Sequence, residues 1–157
     1  MQMRERISVR IGNIVEQPDL STIVNAANAR LQIGGGVAGA IHGIGDPELE
    51  NETRPLAPIQ PGEAVLTSAP NLPNDYVIHC LGPRYGIDRP ENALLASCYQ
   101  RAMEIAAQHQ IESIGFPAIS AGAFGYPLHE AVKIAVKTCL DFLKNSEYPV
   151  TTRFVAF

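Results

Sequence analysis

The chain has 157 residues, 46% of them hydrophobic and 18% charged, with a formal net charge of −4. That length is enough to bury roughly 70% of the unfolded chain's surface, so one domain over 1–157 is expected. The acidic balance argues against general nucleic-acid binding, which needs a basic stripe; no window of about 18 uncharged apolar residues offers a membrane span.

The charged start, Met1-Gln2-Met3-Arg4-Glu5-Arg6, has no apolar core behind it and does not read as a signal peptide. Cys80, Cys98 and Cys139 are odd in number, sit in apolar stretches and form no CxxC. They read as buried reduced thiols, which fits a cytoplasmic setting. His79 with these cysteines gives no zinc spacing, and neither a metal nor a cofactor is expected.

Arg6 to Ile11 alternates polar and apolar residues, the pattern of a half-exposed strand near a sheet edge, and Gly12-Asn13-Ile14 ends it. Ser21 to Val24 forms a second, buried strand leading into Asn25-Ala26-Ala27-Asn28. Gly34-Gly35-Gly36 then opens a short helix over Val37 to Ile44. Consecutive glycines leave backbone N–H groups unobstructed, and at a helix N-terminus such groups form an anion site. Two primary amides beside them suit the hydroxyls of a sugar. A phosphorylated sugar or nucleotide is the chemistry indicated, held by backbone because almost no Lys or Arg lies near in sequence.

Gly45 to Pro61, rich in proline and acids, reads as a surface loop with at most one helical turn. Strands follow at Glu63–Ser68 and Tyr76–Leu81. Asp88-Arg89-Pro90-Glu91 has the spacing of a capping box for a helix running to about Gln108. Ser113 to Ile119 reads as a buried strand. A second glycine loop, Ser120-Ala121-Gly122-Ala123-Phe124-Gly125-Tyr126, runs into Pro127 as a first helical residue, and the last strand is Thr152 to Phe157. Strands alternating with helices predict an α/β fold in three layers, α/β/α, around a mixed, mostly parallel sheet. In such sheets ligands lie beyond the carboxyl ends of the strands, so both glycine loops should face one ligand.

Four stretches together, Val24 to Asn28, Gly34 to Val37, Tyr76 to Pro83 and Phe116 to Pro127, resemble the motifs of macrodomains, and the resemblance runs from about Ile7 to Phe157. Members of that family bind ADP-ribose, and many hydrolyse it from modified proteins. The resemblance implies that Asn28 bonds a distal-ribose hydroxyl while Gly34, Gly35, Gly36 and Val37 pass beside that ribose and the diphosphate. It implies that Ser120, Ala121, Gly122, Ala123 and Phe124 wrap the diphosphate, with Gly125 and Tyr126 completing the loop. Asn13 and Ile14 fall at the adenine end, and Phe157 where an aromatic ring often lies against adenine. Asn28, Gly36 and Phe124 are the residues expected at the reacting bond.

Two positions depart from the family pattern. Many members carry an aspartate at the position of Asn13; a neutral amide makes a hydrogen bond roughly half as strong as a charge-assisted one. Many hydrolases carry an aspartate at the position of Ala38, in a Gly-Val-Asp-Gly run. Here the run is Gly36-Val37-Ala38-Gly39, as in viral-type and some archaeal members, for which catalysis by positioning with substrate assistance is proposed.

Single residues keep two readings. Asn25 either caps local backbone at the strand end or touches ligand. His42 is structural or lies at a substrate rim, His79 and Cys80 belong to the core, and Tyr126 lines the pocket or packs under the loop. The absence of Gly-x-x-x-x-Gly-Lys-Ser/Thr and of Gly-x-Gly-x-x-Gly makes a P-loop or Rossmann site unexpected. Three functions follow from the resemblance. The first is a hydrolase acting on mono-ADP-ribosylated proteins or on O-acetyl-ADP-ribose, and the second a non-catalytic reader of ADP-ribose. The third is an ADP-ribose-1″-phosphate phosphatase or other nucleotide or RNA binder.

Overall fold

The computed structural model describes residues 3–156. Six strands form one sheet: β1 (Ile7–Ile11), β2 (Thr22–Ala26), β3 (Ala64–Ser68), β4 (Tyr76–Cys80), β5 (Ser113–Phe116) and β6 (Thr151–Ala156). Their order is β1-β6-β5-β2-β4-β3, with every neighbouring pair parallel except β3 with β4. Four helices cover it: α1 (Gly36–Gly45), α2 (Glu48–Thr53), α3 (Glu91–Gln108) and α4 (Leu128–Leu143).

Adjacent residues of a strand point to opposite faces, and the central strands are apolar on both, as sheets covered on two sides require. Val24, Ile78, Ile114 and Phe116 face α3 and α4, packing with Leu95, Tyr99, Ala131 and Cys139. Ile23 and Val77 face the other way, packing with Ile41 of α1 and Leu49 of α2. This is the expected three-layer arrangement. β1 lies at the expected sheet edge, but its alternation does not bury one face: only Ile7 is half-buried, and the apolar Val9 and Ile11 are exposed with the polar residues. All three cysteines are free and buried.

Several boundaries differ from the sequence reading. β2 continues two residues past Val24 because Asn25 and Ala26 pair in register with His79 and Cys80. The acidic stretch after Gly45 folds into α2 and a 3-10 turn over Arg54–Leu56; Leu49 and Thr53, four residues apart, are its fully buried side chains. No capping box forms at α3. The Asp88 carboxylate accepts instead from the backbone N–H and guanidinium of Arg84, and α3 begins after Pro90 with no side-chain cap. β5 stops at Phe116, ahead of Pro117, which has no N–H for the ladder. Pro127 stands just outside α4, at its N-cap. Phe157 lies outside the described residues.

Candidate functional site

β2 and β5 are parallel neighbours in the sheet, so the loops leaving their carboxyl ends emerge side by side. The first runs from Ala27 to α1, the second from Pro117 to α4. Phe124 joins them: it packs on the cluster of Ala27, Leu31 and Leu81. The loop after β4 is tied in as well, Tyr85 N–H donating to the Phe124 carbonyl at 2.8 Å. The two glycine loops therefore lie against one another beyond the carboxyl ends of β2 and β5.

The chemistry of the two loops lies in their backbone. α1 has no side-chain cap and no acid in its first turn, and Gly36 adopts a left-handed φ of 57°. Among the described residues, the N–H groups of Gly34, Gly35, Gly36, Val37 and Ala38 have no hydrogen-bond partner. In the second loop, Gly125 N–H returns to the Gly122 carbonyl at 3.0 Å and Tyr126 N–H to the Ser120 carbonyl at 2.9 Å. That closure leaves the N–H groups of Gly122, Ala123 and Phe124 likewise unpartnered. Unpartnered N–H donors of this kind, one set on a helix N-terminus, are chemically suited to an anion.

The glycines have definite steric work. Gly39 is packed against the Gly34 carbonyl: a Cβ there would stand 3.4 Å from the carbonyl carbon and within 3.0 Å of its oxygen. Gly82 is equally constrained by the second loop, where a Cβ would meet Ile119 Cγ2 at 2.6 Å and Ser120 Oγ closer still. Ser120 itself is in the left-handed region at φ 67°, with a buried hydroxyl that has no partner among the described residues. Sequence reasoning assigned no role to Gly39 or Gly82; the recurrence of glycine at the fourth position of a helix was the one available signal for Gly39.

The other expected residues sort by position. Asn28 is half-buried, and its amide clasps the backbone of Gln32: Nδ2 donates to the Gln32 carbonyl at 2.7 Å, and Oδ1 accepts from the Gln32 N–H at 3.0 Å. One N–H and one oxygen lone pair remain for a ligand. Asn13 is exposed, and its Oδ1 accepts from Val15 N–H at 3.1 Å. Ile14 is buried in the cluster containing Val155, with Val37 packed against it. Ala38 is buried, close beneath Gly34. Tyr126 is buried under its loop, its ring 4.9 Å from that of Tyr85 and nearly edge-on, and burial raises its pKa. Ala121 is half-buried against the core, while Gly122, Ala123 and Gly125 are exposed.

Asn25 does not belong among direct contacts. It is fully buried on the sheet face that carries α1, and its Nδ2 donates to His79 Nδ1 at 3.0 Å. The register that pairs Asn25 with His79 places both side chains on that face. The donation fixes the tautomer, because His79 must then carry its proton on Nε2, which donates to Thr67 Oγ1 at 2.9 Å. Burial drives the His79 pKa down to about 3, with the nearby His42 adding to the effect. His42, also buried, pairs with Asp46 at 2.8 Å. The histidines thus sit within the α1 layer of the core, and burial keeps the Cys139 thiol protonated. Cys80 stays protonated too, first through its hydrogen bond with Cys98.

The Macro domain family model matches residues 24–135. A macro domain-containing protein of Methanosarcina mazei is 44% identical over 98% of this chain and 82% of its own length. A Citrobacter koseri protein named O-acetyl-ADP-ribose deacetylase is 42% identical over 99% of this chain and 90% of its own. Among solved structures, a mutant of the Oceanobacillus iheyensis macrodomain with ADPR superposes with a TM-score of 0.90 at 34% identity, covering 99% of this chain and 87% of that one. The Trypanosoma brucei macrodomain in complex with ADP-ribose superposes with a TM-score of 0.89 at 36% identity, over 97% of this chain and 64% of that one.

Proposed function

This chain belongs to the macrodomain family, and on that premise we propose that it binds ADP-ribose between its two glycine loops and hydrolyses ADP-ribose esters. The substrates are O-acetyl-ADP-ribose and proteins carrying mono-ADP-ribose on acidic side chains. One observation carries the reading: the unpartnered N–H groups of Gly34 to Ala38 and of Gly122 to Phe124 line neighbouring loops on one sheet edge. These donors take the diphosphate. The free half of the Asn28 amide takes a distal-ribose hydroxyl, with Phe124 against that sugar.

In the hydrolysis of an acetyl ester, water adds to the acetyl carbonyl, the bond to the ribose oxygen breaks, and acetate and ADP-ribose leave. Position 38 offers no carboxylate to take the water's proton. Rate enhancement then comes from holding water, ester and diphosphate in a reactive geometry, with a substrate phosphate oxygen orienting the water. Asn28, Gly36 and Phe124 define that geometry from the ribose side. Ala38 is also the observation favouring a second reading, a non-catalytic reader of ADP-ribose.

The test offers the protein O-acetyl-ADP-ribose and a mono-ADP-ribosylated protein and follows product release beside calorimetry with ADP-ribose. Binding with release supports the hydrolase; binding without release leaves the reader. No binding at millimolar ADP-ribose removes both.

A further inference from the structure

We infer that Thr53, on α2, is a positioning residue for the ligand loop. Its hydroxyl locks Leu31 in the conformation that presents Asn28 and the first glycine loop. The inference rests on the ADP-ribose reading for its functional meaning and on the following geometry for its physics. Leu31 lies in the left-handed region, φ 56°, although it is not glycine. Such a residue persists only where its surroundings over-determine it.

Four ties do so here. The Leu31 N–H donates to the Asn28 carbonyl at 3.1 Å, and the Leu31 side chain is fully buried with Ala27, Ile59 and Leu81. The Ile59 N–H donates to the Ala29 carbonyl at 2.9 Å. Thr53, itself fully buried, donates from Oγ1 to the Leu31 carbonyl at 2.8 Å. The next residue, Gln32, is the one clasped on both backbone groups by the Asn28 amide. The order of dependence is then explicit. Thr53 fixes the Leu31 carbonyl, Leu31 sets the direction of Gln32, Gln32 orients the Asn28 amide, and two residues later the chain enters Gly34. Thr53 touches no ligand in this scheme. Without its hydroxyl, a buried carbonyl loses its donor and the left-handed turn competes with relaxed forms, so only a fraction of molecules is ready to bind.

Thr53→Val keeps the side-chain shape without the donor, and Thr53→Ser keeps the donor without the methyl group. Two quantities are measured: ADP-ribose affinity by calorimetry, and amide hydrogen exchange at Leu31, Gln32 and Ile59 without ligand. Thr53→Val should bind about tenfold more weakly and exchange faster at those three amides while β2 stays protected. Thr53→Ser should stay close to wild type in both. A valine variant indistinguishable from wild type overturns the inference, and so does a serine variant as impaired as valine, since packing would then be what matters. Thr53→Ala carries the same comparison if the valine variant does not fold. Should wild type itself fail to bind, the ADP-ribose reading falls, while the exchange comparison still decides whether Thr53 orders the loop.

Discussion

Replacing Gly39 by alanine sets two effects of known sign against each other. Glycine inside a helix costs about 1 kcal/mol relative to alanine, so on propensity alone Gly39→Ala should stabilise α1. The structure opposes this: the new methyl would fall within 3.0 Å of the Gly34 carbonyl oxygen, a backbone atom that cannot swing aside as a side chain would. Overpacking of this kind costs about 1–3 kcal/mol. The fold can escape most of it by letting the Gly34 carbonyl lift, which opens the first glycine loop and splays its N–H groups. If binding must push the loop back, affinity falls by about five- to a hundredfold, while the melting temperature moves little. Gly43→Ala is the matched control, because it lies in the same helix with nothing within 4 Å of its would-be Cβ. It should raise the melting temperature and leave affinity alone. Calorimetry with ADP-ribose and thermal melts on both variants measure the two effects. Equal affinity for Gly39→Ala, Gly43→Ala and wild type would mean that Gly39 does not seat the loop.

In the second loop, Gly82→Ala should lower the melting temperature by about 2–10 °C and weaken ADP-ribose binding, and adding Ser120→Gly should restore part of both by removing the hydroxyl it strikes. His79, neutral in the folded state down to about pH 3, takes a proton in the unfolded chain below its ordinary value of 6.5. The unfolded state therefore binds more protons, and stability should fall as pH drops through that window, with a slope approaching about 1.4 kcal/mol per pH unit. Denaturant melts across pH 6 to 4 measure the slope, which His79→Gln should reduce. The Arg153 guanidinium, bonded to both Asp19 oxygens at 3.0 and 2.7 Å, holds that carboxyl at about 2. Its contribution is complete above the ordinary value of 3.8 and is lost as pH falls toward 2. A carboxyl titration by NMR should place the midpoint there and move it up toward the ordinary value in Arg153→Ala.

The sequence carried the layered fold because its central strands are apolar on both faces and its helices on one. It carried the adjacency of the two glycine loops because both stand between a strand and a helix, which puts them beyond the carboxyl ends of a parallel sheet. What it could not carry were contacts set by register and by distant chain. Asn25 could be read as a local cap or as a ligand amide, and its pairing with His79 places it in the core instead. Asp88 had the spacing of a cap, yet Arg84 on its own loop offered a stronger, charge-assisted partner. Thr53 sat in a stretch that its prolines and acids marked as surface, and only the burial of Leu49 and Thr53 on one side of α2 reveals its hold on Leu31. The left-handed turns at Leu31 and Ser120 had no glycine to announce them.

On the proposed reading, backbone donors from two loops hold one diphosphate. Its most direct test is the amide NMR spectrum of the protein titrated with ADP-ribose. The resonances of 34–38 and 122–124 should shift together, saturating with a single affinity, while those at the opposite ends of the strands around Tyr76, His109 and Ser113 stay in place. Shifts confined to one loop, or centred on those opposite ends, would contradict it.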